Sequence, residues 1–188
     1  MASLSCEKVV LFDLSVCAGT EYIQDAASGR DPAVQVAVGL VQASCFRSES
    51  VPATKDEVAA FMAADFPQSK CVVEAVGNGG ATVSHHIGPD ELRPGDTVSG
   101  PVLMGVADVA LYVAILGEIG IVPLAVTTNL TINFLRKPSA AARIIGECRL
   151  MKLGRSLAVG EVSIYSEGSS EPVAHVVGTY SIPPKRDG

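Results

Sequence analysis

From Thr54 onward the apolar positions fall into readable periods. Val58, Phe61 and Met62 recur at helical spacing behind Thr54 and the acids Asp56 and Glu57, and Pro67 closes the run. That pattern predicts a helix capped at its Thr. Residues 71–76 and 81–87 flank Gly77-Asn78-Gly79-Gly80, which predicts a hairpin. Gly88-Pro89 and Arg93-Pro94-Gly95-Asp96 read as loop. An almost wholly apolar stretch then starts at a Ser99 or Gly100 cap, with Pro101 in its first turn, and runs to Gly117 or Gly120 as a second helix. Four strands follow, over residues 125–136, 143–153, 157–165 and 173–182. In the second of them Arg143, Glu147 and Arg149 alternate with Ile144, Cys148 and Leu150. Upstream, Val34, Val36 and Val38 alternate without a visible partner. Residues 1–50 read as an unassigned N-terminal extension, either a flexible, disordered segment or a stretch translated from an upstream start. Residues 51–188 read as one domain.

The order helix, two strands, apolar helix, four strands predicts an α+β fold with a mostly antiparallel sheet. A helix apolar on every side must be covered on every side. A curved sheet wrapped around it, closed by a partner subunit, meets that demand. Composition sharpens this picture. The 188 residues are 48% hydrophobic and 18% charged, with a mean hydropathy of +0.35, which excludes global disorder. Residues 98–116 invite a membrane reading, but Asp108 stands at their middle and Gly100-Pro101 near their start. A charge at a bilayer centre costs about 2.5–3.5 kcal/mol, and no Lys/Arg flank orients the segment. The helix is expected to be buried in protein, away from any membrane.

There are 14 Lys and Arg against 20 Asp and Glu, which argues against a general nucleic-acid binder. The surplus sits in residues 1–75, with net charge −5, whereas residues 76–188 carry −1. Five scattered cysteines form no C-x-x-C motif and read as free thiols of a reducing cytoplasm. The short run at residues 9–14 is broken by Asp13 and does not read as a signal peptide. His85 and His86 are adjacent, face opposite sides of a strand and lack a third ligand, so neither metal nor cofactor is expected. His175, in step with Val173 and Val177, reads as a packing residue.

Asp108 carries the most information. It is the only charge between Asp96 and Glu118. A carboxylate in apolar surroundings needs partners, so it is either a satisfied structural group or a general base or nucleophile. Ser99-Gly100-Pro101 opens the same helix, where amide N–H groups lack intrahelical acceptors and can hold a developing oxyanion. Eight residues separate Gly100 from Asp108, about 12 Å of helix. One chain does not bring these groups together. Two antiparallel helices across a two-fold axis do.

Residues 54–184 resemble the hotdog-fold thioesterases of the PaaI (phenylacetic-acid-degradation) type. The family's helix motif, His-Gly-Gly followed after four residues by Leu-Ala-Asp, stands here as Ser99-Gly100-Pro101 and Val106-Ala107-Asp108 with its spacing kept. The run from Thr127 through Pro138 and the ending Gly178-Thr179-Tyr180-Ser181-Ile182 also match. The resemblance implies hydrolysis of an acyl-CoA substrate at the interface of a homodimer or a dimer of dimers. Asp108 would be the catalytic carboxylate, the Gly100 N–H of the other subunit would polarise the thioester carbonyl, and Thr127, or Thr128 by a one-residue shift, would orient water. The family's His and Asn are replaced by Ser99 and Arg93. Arg93 reads as a substrate contact or a solvated loop residue, and Tyr112 as an acyl contact or core. Arg136 and Lys137 read as CoA phosphate ligands or solvated strand-end charges. The replaced residues leave a second reading, a non-catalytic acyl-CoA or fatty-acyl binding protein. A dehydratase reading is disfavoured because the helix start holds no His.

Overall fold

The computed structural model describes residues 51–184, all within the compact unit Phe46–Gly188. The valine alternation at 34–38, Cys6, Cys17 and Cys45 lie outside the described residues. Helix α1 (Lys55–Asp65) begins with the expected cap. Thr54 accepts from the Glu57 N–H at 3.3 Å, and the Glu57 carboxylate accepts from the Thr54 N–H at 2.8 Å. Strands β1 (Cys71–Gly77) and β2 (Gly80–His85) form the hairpin, turned by Asn78 and Gly79 at positive φ. Where the sequence reads as loop, β3 (Leu92–Arg93) and β4 (Thr97–Val98) make a two-stranded ribbon. Gly95 and Asp96 adopt φ of 90° and 50° and close a turn too short for periodicity to register. Helix α2 (Gly100–Ile119) follows, then β5 (Val126–Phe134), β6 (Ile144–Leu153), β7 (Leu157–Ser166) and β8 (Ala174–Ser181). The expected α+β class and curved antiparallel sheet around one apolar helix are what is found.

The six long strands run in the order β1-β2-β6-β7-β8-β5, every neighbour antiparallel. Alternate residues of each strand face α2, among them Val83, Ile144, Val162, Ile164 and Val176, all fully buried. Eleven of the 20 residues of α2 are buried. Each fully buried Leu or Ile, such as Leu103, Leu111, Ile115 and Leu116, contributes roughly 1.5–3 kcal/mol. α2 is long and apolar enough to cross a membrane by composition alone, but it is the core helix of this sheet. Its coverage is incomplete in the single chain: Pro101, Met104 and Gly105 of its first two turns are exposed.

Helix and sheet approach closely where side chains are missing. Gly160 and Gly178 are cross-strand partners on β7 and β8. Leu111 fills the space both leave: its Cδ2 stands 2.7 Å from where a Gly160 Cβ would be, and its Cδ1 sits against Gly178. Gly178→Val would put branched carbon into occupied volume, and overpacking of this kind costs typically about 1–3 kcal/mol. The expected outcome is a lower urea midpoint at unchanged slope. A midpoint equal to wild type would show that Leu111 is free to move aside.

Candidate functional site

Asp108 sits mid-way along α2, half-buried. Its Oδ1 accepts from Thr127 Oγ1 at 2.6 Å and from the Tyr180 hydroxyl at 2.6 Å. The same hydroxyl lies 2.9 Å from the Asp108 carbonyl oxygen, but one proton goes to one acceptor, and the charged oxygen is the stronger. Among the described residues nothing donates to Oδ2. Thr127 and Tyr180 are direct cross-strand partners on β5 and β8, so one rung of the sheet supplies both hydroxyls. A bulge between Thr127 and Asn129 decides between the two threonines. The extra residue re-aims the strand, and Thr128 donates instead to the Thr179 carbonyl, away from the carboxylate.

Tyr180 is absent from the residues expected of the site. Burial, then the adjacent Asp108 carboxylate, pushes its phenol well above the usual range, so it stays a hydrogen-bond donor. Its signal was available in parity: Tyr180 is in step with the inward-facing Ala174 and Val176, and a buried Tyr needs a partner for its hydroxyl. Tyr112, one turn beyond Asp108, stacks on Tyr180 with ring centroids 6.2 Å apart and donates to the Pro123 carbonyl. Burial raises its phenol as well.

Two cavities meet at Asp108. One, of about 440 Å³, is lined by Phe61, Phe66, Tyr112, Val126, Thr127 and Tyr180. The other, of about 270 Å³, is lined by Cys71, His85, Glu91, Val102, Gly105 and Val106. Asp108, Val109 and Phe66 line both. In the second cavity His85 Nε2 meets the Glu91 carboxylate at 2.9 Å, while its buried Nδ1 has no partner among the described residues. Burial pushes Glu91 upward, but the Gly88 N–H, His85 and Lys70 outweigh it and hold the carboxyl below the usual range. His86 is exposed, as the alternation requires. His175 turns to the outer face, 3.5 Å from Glu161, and does not pack in the core.

The remaining expected residues are spread along the chain. Ser99 is the helix N-cap without a side-chain cap bond. Gly100 faces the Phe134 ring, whose Cζ is 3.0 Å from where a Cβ would stand. Arg93 is exposed on β3. Arg136 pairs with Glu171 at 2.8 Å and donates to the Pro172 carbonyl, and Lys137 donates to the Gly95 carbonyl. The structure brings Asp108, Thr127, Tyr180 and Tyr112 together and leaves Gly100 at the far end of the same helix. Among the described residues, no three His, Cys, Asp or Glu side chains group as a metal site. Cys71 and Cys148 are free, their thiols pushed by burial up to about 11 and about 12.

Comparison with known proteins decides the family. The model of the thioesterase superfamily matches residues 95–173, a span that holds Ser99, Gly100, Asp108 and Thr127. A candidate thioesterase from a Silicibacter species, of known crystal structure, is 43% identical; the match covers 70% of this chain and 92% of that one, with a TM-score of 0.65. The chain belongs to the thioesterase superfamily. This thioesterase is also similar to a variant of the phenylacetic acid degradation protein PaaI from Thermus thermophilus. That protein is 26% identical, with 66% of this chain and 99% of that one covered and a TM-score of 0.55. The PaaI protein of the E. coli phenylacetic acid degradation operon is 20% identical over 68% of this chain and 91% of that one, with a TM-score of 0.60, and shares the fold. No curated protein matches. The hotdog fold, the PaaI-type relationship and thioester hydrolysis as the enzyme class are thereby established. The family match stops at residue 173, before Tyr180.

Tyr180→Phe removes one of the two donors to Asp108 and leaves the ring stack in place. A single hydrogen bond contributes about 0.5–1.5 kcal/mol, so the variant is expected to unfold at lower urea with the fold intact by circular dichroism. An unchanged midpoint would mean that the hydroxyl contributes nothing to holding the carboxylate.

Proposed function

We propose that this thioesterase hydrolyses acyl-CoA, with Asp108 as general base and the Gly100 N–H of a second copy of the chain as oxyanion donor. One observation carries the reading: Asp108 stands at the junction of two cavities, and among the described residues its side-chain donors all reach Oδ1, which leaves Oδ2 to a water. Thr127 and Tyr180 fix the carboxylate so that the second oxygen faces the cavity at no further cost in orientation. Oδ2 takes a proton from water, and the hydroxide attacks the thioester carbonyl. The tetrahedral oxyanion is held by the Gly100 N–H. Pro101 has no N–H to add. The intermediate expels the CoA thiolate, which takes the proton from Asp108, giving the free acid and CoA.

The second copy is required because about 12 Å of helix separates Gly100 from Asp108 in one chain. The surface supports it. β5 is an edge strand, and its Val126 and Phe134, with the following Leu135, are 53%, 54% and 49% exposed. Edges of this kind are templates for pairing. Antiparallel pairing of two β5 edges would continue the sheet and lay two α2 helices side by side, covering the exposed first turns. The assembly is a homodimer or a dimer of such dimers. At the strand end, CoA phosphates would compete with Glu171 for Arg136, an exposed pair worth little, and meet Lys137 directly. The cavity beside Phe61, Phe66 and Tyr112 would take the acyl group. Free thiols at Cys71 and Cys148 suit a reducing cytoplasm.

Free-thiol release from a panel of short, medium and aryl acyl-CoAs tests the reaction. Asp108→Asn is expected to abolish turnover with the fold intact. Gly100→Pro removes the N–H and is expected to lower kcat about 10²–10³-fold, whereas Gly100→Ala keeps the donor and needs only the Phe134 ring to shift. Wild type inactive across the panel, or Asp108→Asn fully active, would sink the assignment. A ligand that raised the melting temperature without turnover would instead mark a carrier.

Light scattering after size exclusion is expected to give a dimer or tetramer, shifted towards monomer by Phe134→Lys on the β5 edge. A strictly monomeric active enzyme would exclude a site shared between copies.

A further inference from the structure

We infer that Glu91, clamped by His85, is the positioning residue that aims the Gly100 N–H; this rests on the reading of Gly100 as oxyanion donor. Glu91 lies on the 3-10 turn Pro89–Glu91, directly before the β3–β4 ribbon. Its carboxylate accepts from the Gly88 N–H at 2.7 Å and from His85 Nε2–H at 2.9 Å, with Lys70 Nζ at 3.4 Å. Its backbone carbonyl accepts from the Ser99 N–H at 3.0 Å. The next rung beyond that bond is Leu92 opposite Val98.

One residue therefore closes the lobe from Gly88 to Ser99 on itself by backbone and ties it to the body of the fold by side chain. The tie reaches the core. His85 is 4% exposed, on the inward face of β2 that packs against α2. Lys70 on the solvent side is 58% exposed and adds little rigidity. The lobe ends at Ser99-Gly100, so any freedom at Glu91 is passed through one hydrogen bond to the first amides of α2. Those amides must point at a carbonyl carried by another chain's site, where a misplacement of about 1 Å can cost about 10²-fold. Nε2–H is directed at Glu91, and among the described residues the buried His85 Nδ1 has no partner, so the ring's hydrogen bonding there goes to Glu91.

The test is a double-mutant cycle on acyl-CoA turnover in the assembled enzyme. Glu91→Ala is expected to lower kcat about 10- to 100-fold with KM within about twofold. Glu91→Gln, which still offers one acceptor oxygen to Gly88 but sets an amide against His85, is expected to fall between, and it serves if Glu91→Ala folds poorly. In the Gly100→Pro background, where no N–H remains to aim, either Glu91 substitution is expected to change kcat less than about twofold. A full loss in both backgrounds would show that Glu91 only supports the fold and would overturn the assignment, as would a Glu91→Gln and Glu91→Ala pair that both match wild type. If Gly100→Pro alone leaves kcat intact, the oxyanion reading itself fails, independently of Glu91.

Discussion

The structure depends on covering a helix that has almost no polar side. α2 is 20 residues long and apolar around most of its circumference, and water is excluded only if the sheet bends around it. The bend needs close approach, and the chain provides it by omission. Gly160 and Gly178 face each other across two strands so that Leu111 can enter the sheet surface, and Gly117 lets Val76 of β1 come against the other end of the helix. Among the described residues, Pro101, Met104 and Gly105 near the start of α2 and much of the edge strand β5 are exposed.

That constraint also creates the chemistry. A carboxylate on such a helix is tolerable only where the wrapping sheet has hydroxyls to offer. Asp108 is placed against the outermost strand pair of the sheet, β5 with β8, where Thr127 and Tyr180 stand opposite each other. The two hydroxyls satisfy one carboxylate oxygen, and among the described residues nothing donates to the other. The polar lobe from Gly88 to Ser99 is tied back to the core by the His85–Glu91 pair, while Lys137 and Lys70 hold it from the solvent side.

Much of the architecture was legible before any coordinates. The capping residues at Thr54, the Gly/Asn turn at 77–80, Pro101 and the alternation of β6 each encode a local preference, and the elements start and stop where those residues put them. The spacing of Gly100 and Asp108 was legible too, along with its consequence that one helix cannot unite them. The ribbon β3–β4 was missed because two residues per strand carry no period. His175 was misjudged because alternation with valines does not say which face is inward: Val173 is buried and Val177 is exposed.

The sequence by itself determined the elements, the apolar helix and the lone carboxylate on it, because helix caps, turn residues and hydrophobic period act over short stretches of neighbouring residues. Only the tertiary structure decided what holds that carboxylate. Tyr180 is 72 residues away in the chain and Thr127 is 19. Which of two adjacent threonines reaches it is set by a bulge in the pairing of β5 with β8, a register that no local pattern records. The His85–Glu91 clamp is of the same kind, since its second contact passes through a backbone carbonyl that every residue possesses and only folding can assign.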